Sequence, residues 1–482
     1  MPRLPDIRFL HTRICFTPPT SHPTLGGSMK ITVSPTTLSA GSLALLVTGA
    51  LLVPAGTAQA AIPPAIRTET PVPAPTPAPA STAVPVSGDT DPAAQLPPLS
   101  AQTLAGGVDS SFYDLPVPIP ATPGQLVRHR PVDAKLITKY IPVPAQAELV
   151  MYSSTASDGT PNVVTGTVFT PWEAYSGTGE RPLVSLAPGT QGLGQDCTPS
   201  RQFVAGTEYE AFPVTALLIA GYSVVVTDYQ GAGTTLNNSY LARVTQGNAV
   251  LDAARAAPKT GLPSITPTAP VLLYGYSQGG GAVASAAELA ASYAPELPII
   301  GGFAGGVPAD LNAVASSIQD TPSSTLLLFA LTSLGNLAGI NADDYLNESG
   351  QAARAWAAEN CVIPTTERYA STPMRSLTTT GESITALIDR VPEFKKTVAE
   401  QTIGLGTPNF PILVGQSPAD EIIQPAQSAK MVEQWCSRGA QVQTIEAPPV
   451  NHVMGAITLV PAALNFLYQR VNKIPAAGFC GN

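Results

Sequence analysis

The chain has 482 residues, of which 44% are hydrophobic and 12% are charged, and its formal net charge is −9. This length and apolar content suffice for one large domain with insertions or for two domains. Removal of the first sixty residues, which carry four basic and one acidic side chain, leaves a net charge of −12. Because an acidic chain with no basic stripe binds nucleic acid poorly, we expect no nucleic-acid partner.

The N-terminal region has the pattern of a secretory signal peptide. Residues 42–53 form an apolar run too short to span a bilayer comfortably, and a small-x-small cleavage site ends at Ala60. We therefore interpret residues 29–60 as the signal peptide and Met29 as the true start. Residues 1–28 are then an upstream extension with no evident role; the alternative is an extended basic n-region. The protein is expected to be secreted.

A Pro-rich segment follows the predicted signal peptide at residues 61–106. It has too few large apolar residues to fold, and its prolines favour extended geometry. We predict a disordered linker. The alternative is a spacer that crosses a cell wall, which would make the protein cell-wall associated.

Strand-like and helix-like segments alternate over residues 107–309 and again over residues 407–482. AELVMYSST and VVTGTVFTP predict an opening hairpin, and PLVSLA, YSVVVTDYQ, VLLY, PIIGGFAGG, NFPILVG and AQVQTIEAP predict further strands. GNAVLDAARAA and AVASAAELAASY between them predict helices. Such alternation is typical of an α/β fold with a mostly parallel sheet and helices on both faces.

Strand signals stop over residues 310–406, where long segments such as STLLLFALTSLGNLAG favour helices. A helical stretch inserted between sheet strands predicts a cap or lid over the strand ends, and we expect it to form a largely apolar pocket. The alternative is additional helical packing with no role at a site.

The stretch GYSQG places Ser277 between Gly275 and Gly279. A strand precedes this Gly-x-Ser-x-Gly pattern and an Ala-rich helix follows it, as in the strained turn that exposes a nucleophilic serine. The pentapeptide by itself also fits a glycine-rich turn between a strand and a helix. A nucleophile additionally needs a base and an orienting acid.

Only four histidines are present, and His11 and His22 lie in the predicted leader. His129 lies between two arginines, ahead of the expected first sheet strands, and we interpret it as a surface histidine whose neighbours disfavour the cation. His452, in the expected loop PVNHVMG after a strand, is therefore the candidate base. The alternative is a structural loop histidine.

If the three residues occur along the chain in the order nucleophile, acid, base, the acid should follow a strand between Ser277 and His452. Asp420 follows the strand-like PILVG in this interval, and we predict it to be the acid. Glu421 and Asp310 are the alternatives. Three other aspartates are interpreted as solvated charges of the helical stretch: Asp343, Asp344 and Asp389.

An oxyanion formed during acyl transfer needs backbone donors. One is expected to be the N–H of Gln278, which follows the nucleophile. The glycine-rich loop SLAPGTQGLG should supply the other, from Gln191 or Thr190, although its glycines also fit a simple change of chain direction.

Five cysteines are present, and Cys15 would be lost with the leader. The remaining four, Cys197, Cys361, Cys436 and Cys480, allow three pairings in an oxidising compartment, with buried free thiols as the alternative. No sequence motif for a metal or a nucleotide is present, so no metal and no cofactor is expected.

Together these segments resemble the secretory lipase family typified by Candida antarctica lipase A and its actinobacterial relatives. The resemblance covers residues 107–482 and rests on VVTGTVFTP, GTQGLGQDCTPS, VVVTDYQGAG, GYSQGGGA, SPADEIIQP and NHVMG. It implies an α/β-hydrolase fold with a helical cap. It also implies a triad of Ser277, Asp420 and His452, a loop oxyanion donor at Gln191, and disulfides that pair Cys197 with Cys361 and Cys436 with Cys480.

We therefore expect a secreted serine hydrolase that cleaves carboxylic esters, acting as a lipase on acylglycerols through an acyl-enzyme. A short-chain carboxylesterase and an acyltransferase are the alternatives, followed by a peptidase and by a non-catalytic surface protein on a Pro-rich stalk. The expected partner is a lipid or ester substrate, with transient contact to a lipid interface, and the expected oligomeric state is a monomer.

Overall fold

The computed structural model describes residues 110–136, 140–475 and 478–480. The expected upstream extension, signal peptide and linker, at residues 1–28, 29–60 and 61–106, lie outside these ranges. Within them, no helix has both the length and the apolar character that a membrane crossing requires.

The described chain contains one nine-stranded sheet. Its strands are β1 (Leu126–Pro131), β2 (Ala145–Thr155), β3 (Pro161–Pro171), β4 (Leu183–Ala187), β5 (Ser223–Gln230), β6 (Val271–Tyr276), β7 (Ile299–Gly305), β8 (Ile412–Gln416) and β9 (Val442–Glu446). The strand order is β1-β2-β3-β5-β4-β6-β7-β8-β9. Pairing is antiparallel from β1 through β3 to β5 and parallel from β5 to β9.

The strand order reverses at β4, which has β5 on one side and β6 on the other. The loops that follow β4 and β6 therefore leave the sheet side by side at its carboxyl edge. Such a reversal opens a crevice in which α/β proteins bind their ligands. The sheet order thus places the glycine-rich loop after β4 next to Ser277.

Thirteen α-helices lie in the described ranges: α1 (Pro199–Ala205), α2 (Ala211–Ile219), α3 (Arg243–Ala256), α4 (Gln278–Tyr293), α5 (Leu311–Ile318), α6 (Leu326–Ala338), α7 (Glu348–Glu359), α8 (Val362–Tyr369), α9 (Ile384–Arg390), α10 (Pro392–Glu400), α11 (Pro425–Ser437), α12 (His452–Thr458) and α13 (Val460–Val471). Short 3₁₀ helices occur at Ser110–Tyr113, Gln195–Cys197, Ala257–Thr260, Pro322–Thr325, Ala342–Tyr345 and Met374–Leu377.

The two faces of the sheet are covered by different helices. Val225 of β5 packs in an apolar cluster with α3, α4 and α11. Val224 and Val226 point the other way, into a cluster with α2 and α13. This alternation follows from the two-residue period of a strand, and burial on both faces explains the continuous apolar run VVV. The fold is thus an α/β-hydrolase fold with a mostly parallel sheet between two helical layers.

Helices α5 to α10 all lie between β7 and β8, within residues 310–406, a range that is described throughout and contains no strand. We call this range the helical insertion. Its helices enclose an apolar core of their own, with members such as Leu328, Phe329, Leu387 and Phe394. The insertion therefore packs around its own core as well as against the sheet domain.

Two disulfides are present, Cys197–Cys361 and Cys436–Cys480. The first joins the loop after β4 to the start of α8, so it links the sheet domain to the helical insertion across 164 residues of sequence. Closing a loop of this size stabilises a fold by about 4–5 kcal/mol in a chain-entropy treatment. The second ties the C-terminal segment to the end of α11.

His129 corrects two expectations. It lies in β1 at the edge of the sheet, not ahead of the first strand. Its Nδ1 lies 3.1 Å from the Glu148 carboxylate on β2, and this hydrogen bond raises the pKa of His129, so its surroundings favour the cation. The sequence did not reveal this partner because Glu148 is a cross-strand neighbour. His129 remains a partly exposed residue of the sheet edge.

Candidate active site

Ser277 lies at the turn between β6 and α4 with φ 60° and ψ −123°, a backbone conformation that non-glycine residues rarely adopt. A side chain on Gly275 would collide with the carbonyl of Gly279, and one on Gly279 would collide with the carbonyl of Ala187. The two glycines therefore permit the close packing that forces the serine into this turn. This is the physical basis of the Gly-x-Ser-x-Gly pattern here.

Three side chains that are distant in sequence form a row of hydrogen bonds. The Ser277 hydroxyl lies 2.8 Å from Nε2 of His452, and Nδ1 of His452 lies 2.8 Å from Oδ2 of Asp420. With the proton on Nδ1, the imidazole donates to the carboxylate and accepts from the serine hydroxyl. The structure therefore brings together the predicted nucleophile, base and acid.

The Asp420 carboxylate is fully buried and held by several donors. Its Oδ1 accepts the N–H groups of Ile422 and Ile423, at 3.0 and 2.7 Å. Its Oδ2 also accepts from Nε2 of Gln416 at 3.2 Å. Because these donors orient the carboxylate, it presents one oxygen to the imidazole in a fixed geometry.

His452 is the first residue of α12, with Asn451 as its N-cap, and not part of a loop as expected. Its N–H donates to the carboxylate of Glu421 at 2.9 Å, and its carbonyl accepts from the hydroxyl of Tyr276 at 2.8 Å. The Tyr276 ring also packs against the imidazole, with ring centroids 5.1 Å apart. Sequence reasoning missed the contact of Tyr276, although its position directly before the candidate nucleophile was a usable signal.

The alternative acids occupy other positions. Glu421 contacts the backbone of His452 and not its imidazole. Asp310 is the N-cap of α5, where its carboxylate accepts the N–H groups of Asn312 and Ala313. Two of the remaining aspartates form ion pairs in the helical insertion: Asp343 with Arg354, and Asp389 with Lys395.

A cavity opens beside Ser277. Thr190, Ser277 and Gln278 contribute to its wall on the sheet side. Most of the remaining wall comes from apolar side chains of α5, α6, α9 and α10: Leu311, Val314, Ala315, Ile318, Leu326, Leu327, Ala330, Leu331, Leu334, Ile384, Ile388, Phe394 and Val398. The apolar lining suits a flexible hydrocarbon group.

The residues expected to donate to an oxyanion differ in their hydrogen bonds and in whether they line the cavity. Gln278 begins α4, and its N–H donates no hydrogen bond to any described residue. Thr190 lines the cavity, whereas Gln191 does not. The Gln191 side chain is buried between Glu208, to which it donates at 3.1 Å, and Gln202, from which it accepts at 2.8 Å.

Sequence reasoning also missed three buried acids near this loop. Burial raises the pKa of Glu208 to about 8, of Glu210 to about 7 and of Asp228 to about 6. Glu208 is only 1% exposed. The available signal was the pair of acids in TEYEAFP, directly before the apolar helix α2.

The raised pKa values of these acids predict that the protein becomes less stable as the pH rises. Each folded-state pKa lies above the unfolded value, so their stabilising contribution is complete at low pH and is lost as the pH rises through the folded-state pKa. For Glu208 the window runs from 4.5 to about 8. Urea unfolding between about pH 5 and about pH 9 should show the free energy of unfolding falling, and Glu208→Gln should reduce the slope by up to about 1.4 kcal/mol per pH unit.

Glu393→Gln, at an exposed site of α10, is the matched control and should leave the slope unchanged. An unchanged slope in Glu208→Gln would contradict the raised pKa of this residue.

Among the described residues, no cluster of three or more His, Cys, Asp or Glu side chains could hold a metal ion.

Residues 199–478 match the protein family described as Secretory lipase. The chain is 30% identical to Lipase 10 of Candida albicans, over 77% of this chain and 82% of that protein. It is 28% identical to the secreted triacylglycerol lipase LIP5 of Malassezia furfur, over 64% of this chain and 83% of that protein. The fold is similar to the crystal structure of Candida antarctica lipase A in its closed state, with a TM-score of 0.66 and 23% identity, over 78% of this chain and 90% of that one.

Proposed function

This chain belongs to the secretory lipase family and is a triacylglycerol lipase-like ester hydrolase; from that premise, we propose that it is secreted and cleaves acylglycerols through a triad of Ser277, His452 and Asp420. One observation carries the proposal: the hydrogen-bonded row of these side chains ends at the wall of an apolar cavity.

In the first half of the reaction, Nε2 of His452 accepts the Ser277 proton as Oγ attacks the ester carbonyl. The Oγ–carbon bond forms, and the carbonyl oxygen becomes an oxyanion. As the intermediate collapses, His452 returns the proton to the leaving alcohol, and an acyl-enzyme remains on Ser277.

In the second half, water replaces the alcohol. His452 accepts a proton from water while the water oxygen attacks the acyl carbon, and Ser277 leaves with that proton. The products are the free fatty acid and the restored hydroxyl. No cofactor takes part in either half.

Asp420 keeps Nδ1 of His452 protonated and stabilises the imidazolium that forms in each half. The N–H of Gln278 and an N–H of the loop after β4, from Gln191 or Thr190, donate to the oxyanion. Such donors are worth about 10²–10³ in kcat each, because they are oriented before charge develops.

The helical insertion acts as the cap, and its apolar wall receives the acyl chain of the substrate. Each methylene that leaves water gains about 0.8 kcal/mol. Long acyl chains should therefore bind more tightly than short ones.

The family and the secreted relative from Malassezia furfur support an extracellular location, as do the two disulfides. Within this proposal, residues 29–60 are the signal peptide, and residues 61–106 are a linker. The enzyme acts as a monomer that contacts lipid interfaces transiently.

Initial rates on para-nitrophenyl esters from acetyl to palmitoyl, together with fatty-acid release from a triacylglycerol emulsion, test the proposal. We expect rates to rise with chain length and the emulsion to be hydrolysed. Leu331, 4% exposed, lines the cavity from α6. Leu331→Trp should lower rates on long-chain esters by about tenfold or more, because the ring occupies the space of the chain, and change the acetyl rate by less than about threefold.

Leu337→Trp is the matched control, since Leu337 lies on the same helix but is 38% exposed. It should keep the wild-type chain-length profile. A rate maximum at acetyl or butyryl, with no hydrolysis of the emulsion, would identify a short-chain carboxylesterase. Ester products formed from added alcohol in preference to the free acid would identify an acyltransferase.

A further inference from the structure

The segment Glu208-Tyr209-Glu210, between α1 and α2, reaches the loop that follows β4. We call residues 188–191 the oxyanion loop. The carboxylate of Glu210 accepts the N–H of Gly189 at 2.8 Å. This bond fixes the peptide through which the chain leaves β4.

The other two side chains of the segment hold the far end of the loop. The hydroxyl of Tyr209 donates to the carbonyl of Thr190 at 2.6 Å. The carboxyl of Glu208 accepts from the side-chain amide of Gln191 at 3.1 Å. Three consecutive side chains thus bind three consecutive residues of the oxyanion loop.

These contacts leave particular donors of the loop unused. Pro188 has no N–H, and the N–H of Gly189 is taken by Glu210. The N–H groups of Thr190 and Gln191 donate no hydrogen bond to any described residue. Since backbone N–H groups are normally paired, these two are donors without a partner in the described chain, and Thr190 lines the cavity beside Ser277.

Burial of the carboxyl groups of this segment lowers the stability of the fold. The contacts of the segment to the oxyanion loop would explain why these groups are buried there. Glu208 is buried, its Oε1 also accepts the N–H of Glu210 at 3.0 Å, and its Oε2 has no hydrogen-bond partner among the described residues. Burial raises the pKa of both carboxyls. Groups with such unfavourable burial concentrate at functional sites.

We infer that Tyr209 and Glu210 are positioning residues that hold the oxyanion loop with its free N–H groups aimed at the oxyanion. The inference rests on the proposed function of Ser277. Neither side chain contacts the reacting atoms; each acts through the loop backbone. Holding the donors in place before the reaction makes them effective in the transition state and adds little to substrate binding.

The test compares kcat and KM of three variants on one long-chain para-nitrophenyl ester. Tyr209→Phe removes only the hydroxyl and should lower kcat about tenfold with KM changed less than about twofold. Glu210→Leu removes the acceptor for the Gly189 N–H and should lower kcat about 100-fold. Glu210→Gln keeps an acceptor oxygen and should recover most of that loss.

Inhibitor binding separates positioning from a structural role. An alkylboronic acid that forms a tetrahedral adduct with Ser277 should bind about tenfold more weakly to Tyr209→Phe. An alkyl alcohol of the same chain length, which fills the cavity without a tetrahedral centre, should bind as to wild type. Tyr293→Phe is the matched control, since its hydroxyl contacts Thr155 and Asp252, and it should bind both probes as wild type does.

Several outcomes would overturn the inference. Unchanged kcat and unchanged boronic acid affinity in Tyr209→Phe would do so, as would equal weakening of both inhibitors. If Glu210→Leu does not fold, Tyr209→Phe decides, because its side chain is partly exposed and loses one oxygen. Wild-type protein that forms no boronic acid adduct on Ser277 would overturn the proposed function as well, whereas an adduct of equal strength in all variants would overturn the inference alone.

Discussion

Ser277→Ala should lower kcat for ester hydrolysis by about four to six orders of magnitude. The substitution removes the oxygen that attacks the carbonyl in the proposed mechanism, and the residual rate would come only from oxyanion donors and substrate binding. KM should change little, because the hydroxyl contributes little to the binding of the acyl chain. The measurement is kcat on a long-chain para-nitrophenyl ester, together with mass-spectrometric detection of a phosphonate adduct on Ser277 in wild type.

Ser285→Ala is the matched control for this variant. Ser285 lies on α4, the helix that begins directly after Ser277, and its hydroxyl donates to the Arg243 carbonyl at 2.6 Å, away from the cavity. It should retain wild-type kcat with a modest loss of stability. The nucleophile assignment fails if Ser277→Ala stays within about tenfold of wild type, or if the phosphonate labels another residue.

Asp420→Asn should lower kcat about 10⁴-fold. The amide can donate to Nδ1 of His452, which favours the tautomer with the proton on Nε2, and that tautomer cannot accept the Ser277 proton. The shape of the side chain is nearly unchanged, so KM and the thermal midpoint should move little in comparison. The measurement is the pH profile of kcat in wild type and variant.

Glu421→Gln gives the matched comparison, since it is the neighbouring acid and makes a single contact with the backbone of His452. Its amide oxygen can still accept that N–H, and we expect a loss of less than about tenfold. A large loss in Glu421→Gln with a small loss in Asp420→Asn would reverse the two roles.

The candidate site was predictable where a residue's role follows from its place after a strand. Ser277 follows β6, and Asp420 comes four residues after the end of β8. Parallel strands bring such loops to one edge, so sequence order pointed to both residues, although it left Glu421 and Asp310 as alternative acids. The choice of His452 required less information from the strand pattern, because only two histidines lie outside the predicted leader.

Contacts across the fold were not predictable in the same way. The expectation for His129 was wrong because its strand pairs with β2. The pattern of a single sequence does not reveal which residue lies opposite on the next strand. His452 was assigned to a loop because the N-cap Asn451 and the short α12 follow a proline pair that favours turns. The partners of Gln191 come from α1 and from the turn after it, and no periodic pattern links them to the loop.

The helical insertion is one uninterrupted stretch of the chain between β7 and β8, and it supplies most of the cavity wall, whereas Ser277, Asp420 and His452 all lie outside it. Recombination that exchanges this stretch between related genes would alter substrate range while the chemistry is inherited unchanged. One disulfide joins the insertion to the rest of the chain. Cys361 belongs to the insertion, whereas its partner Cys197 does not. A donor segment without a cysteine there would leave Cys197 as a free thiol after β4, so only donors that bring their own cysteine would keep this disulfide.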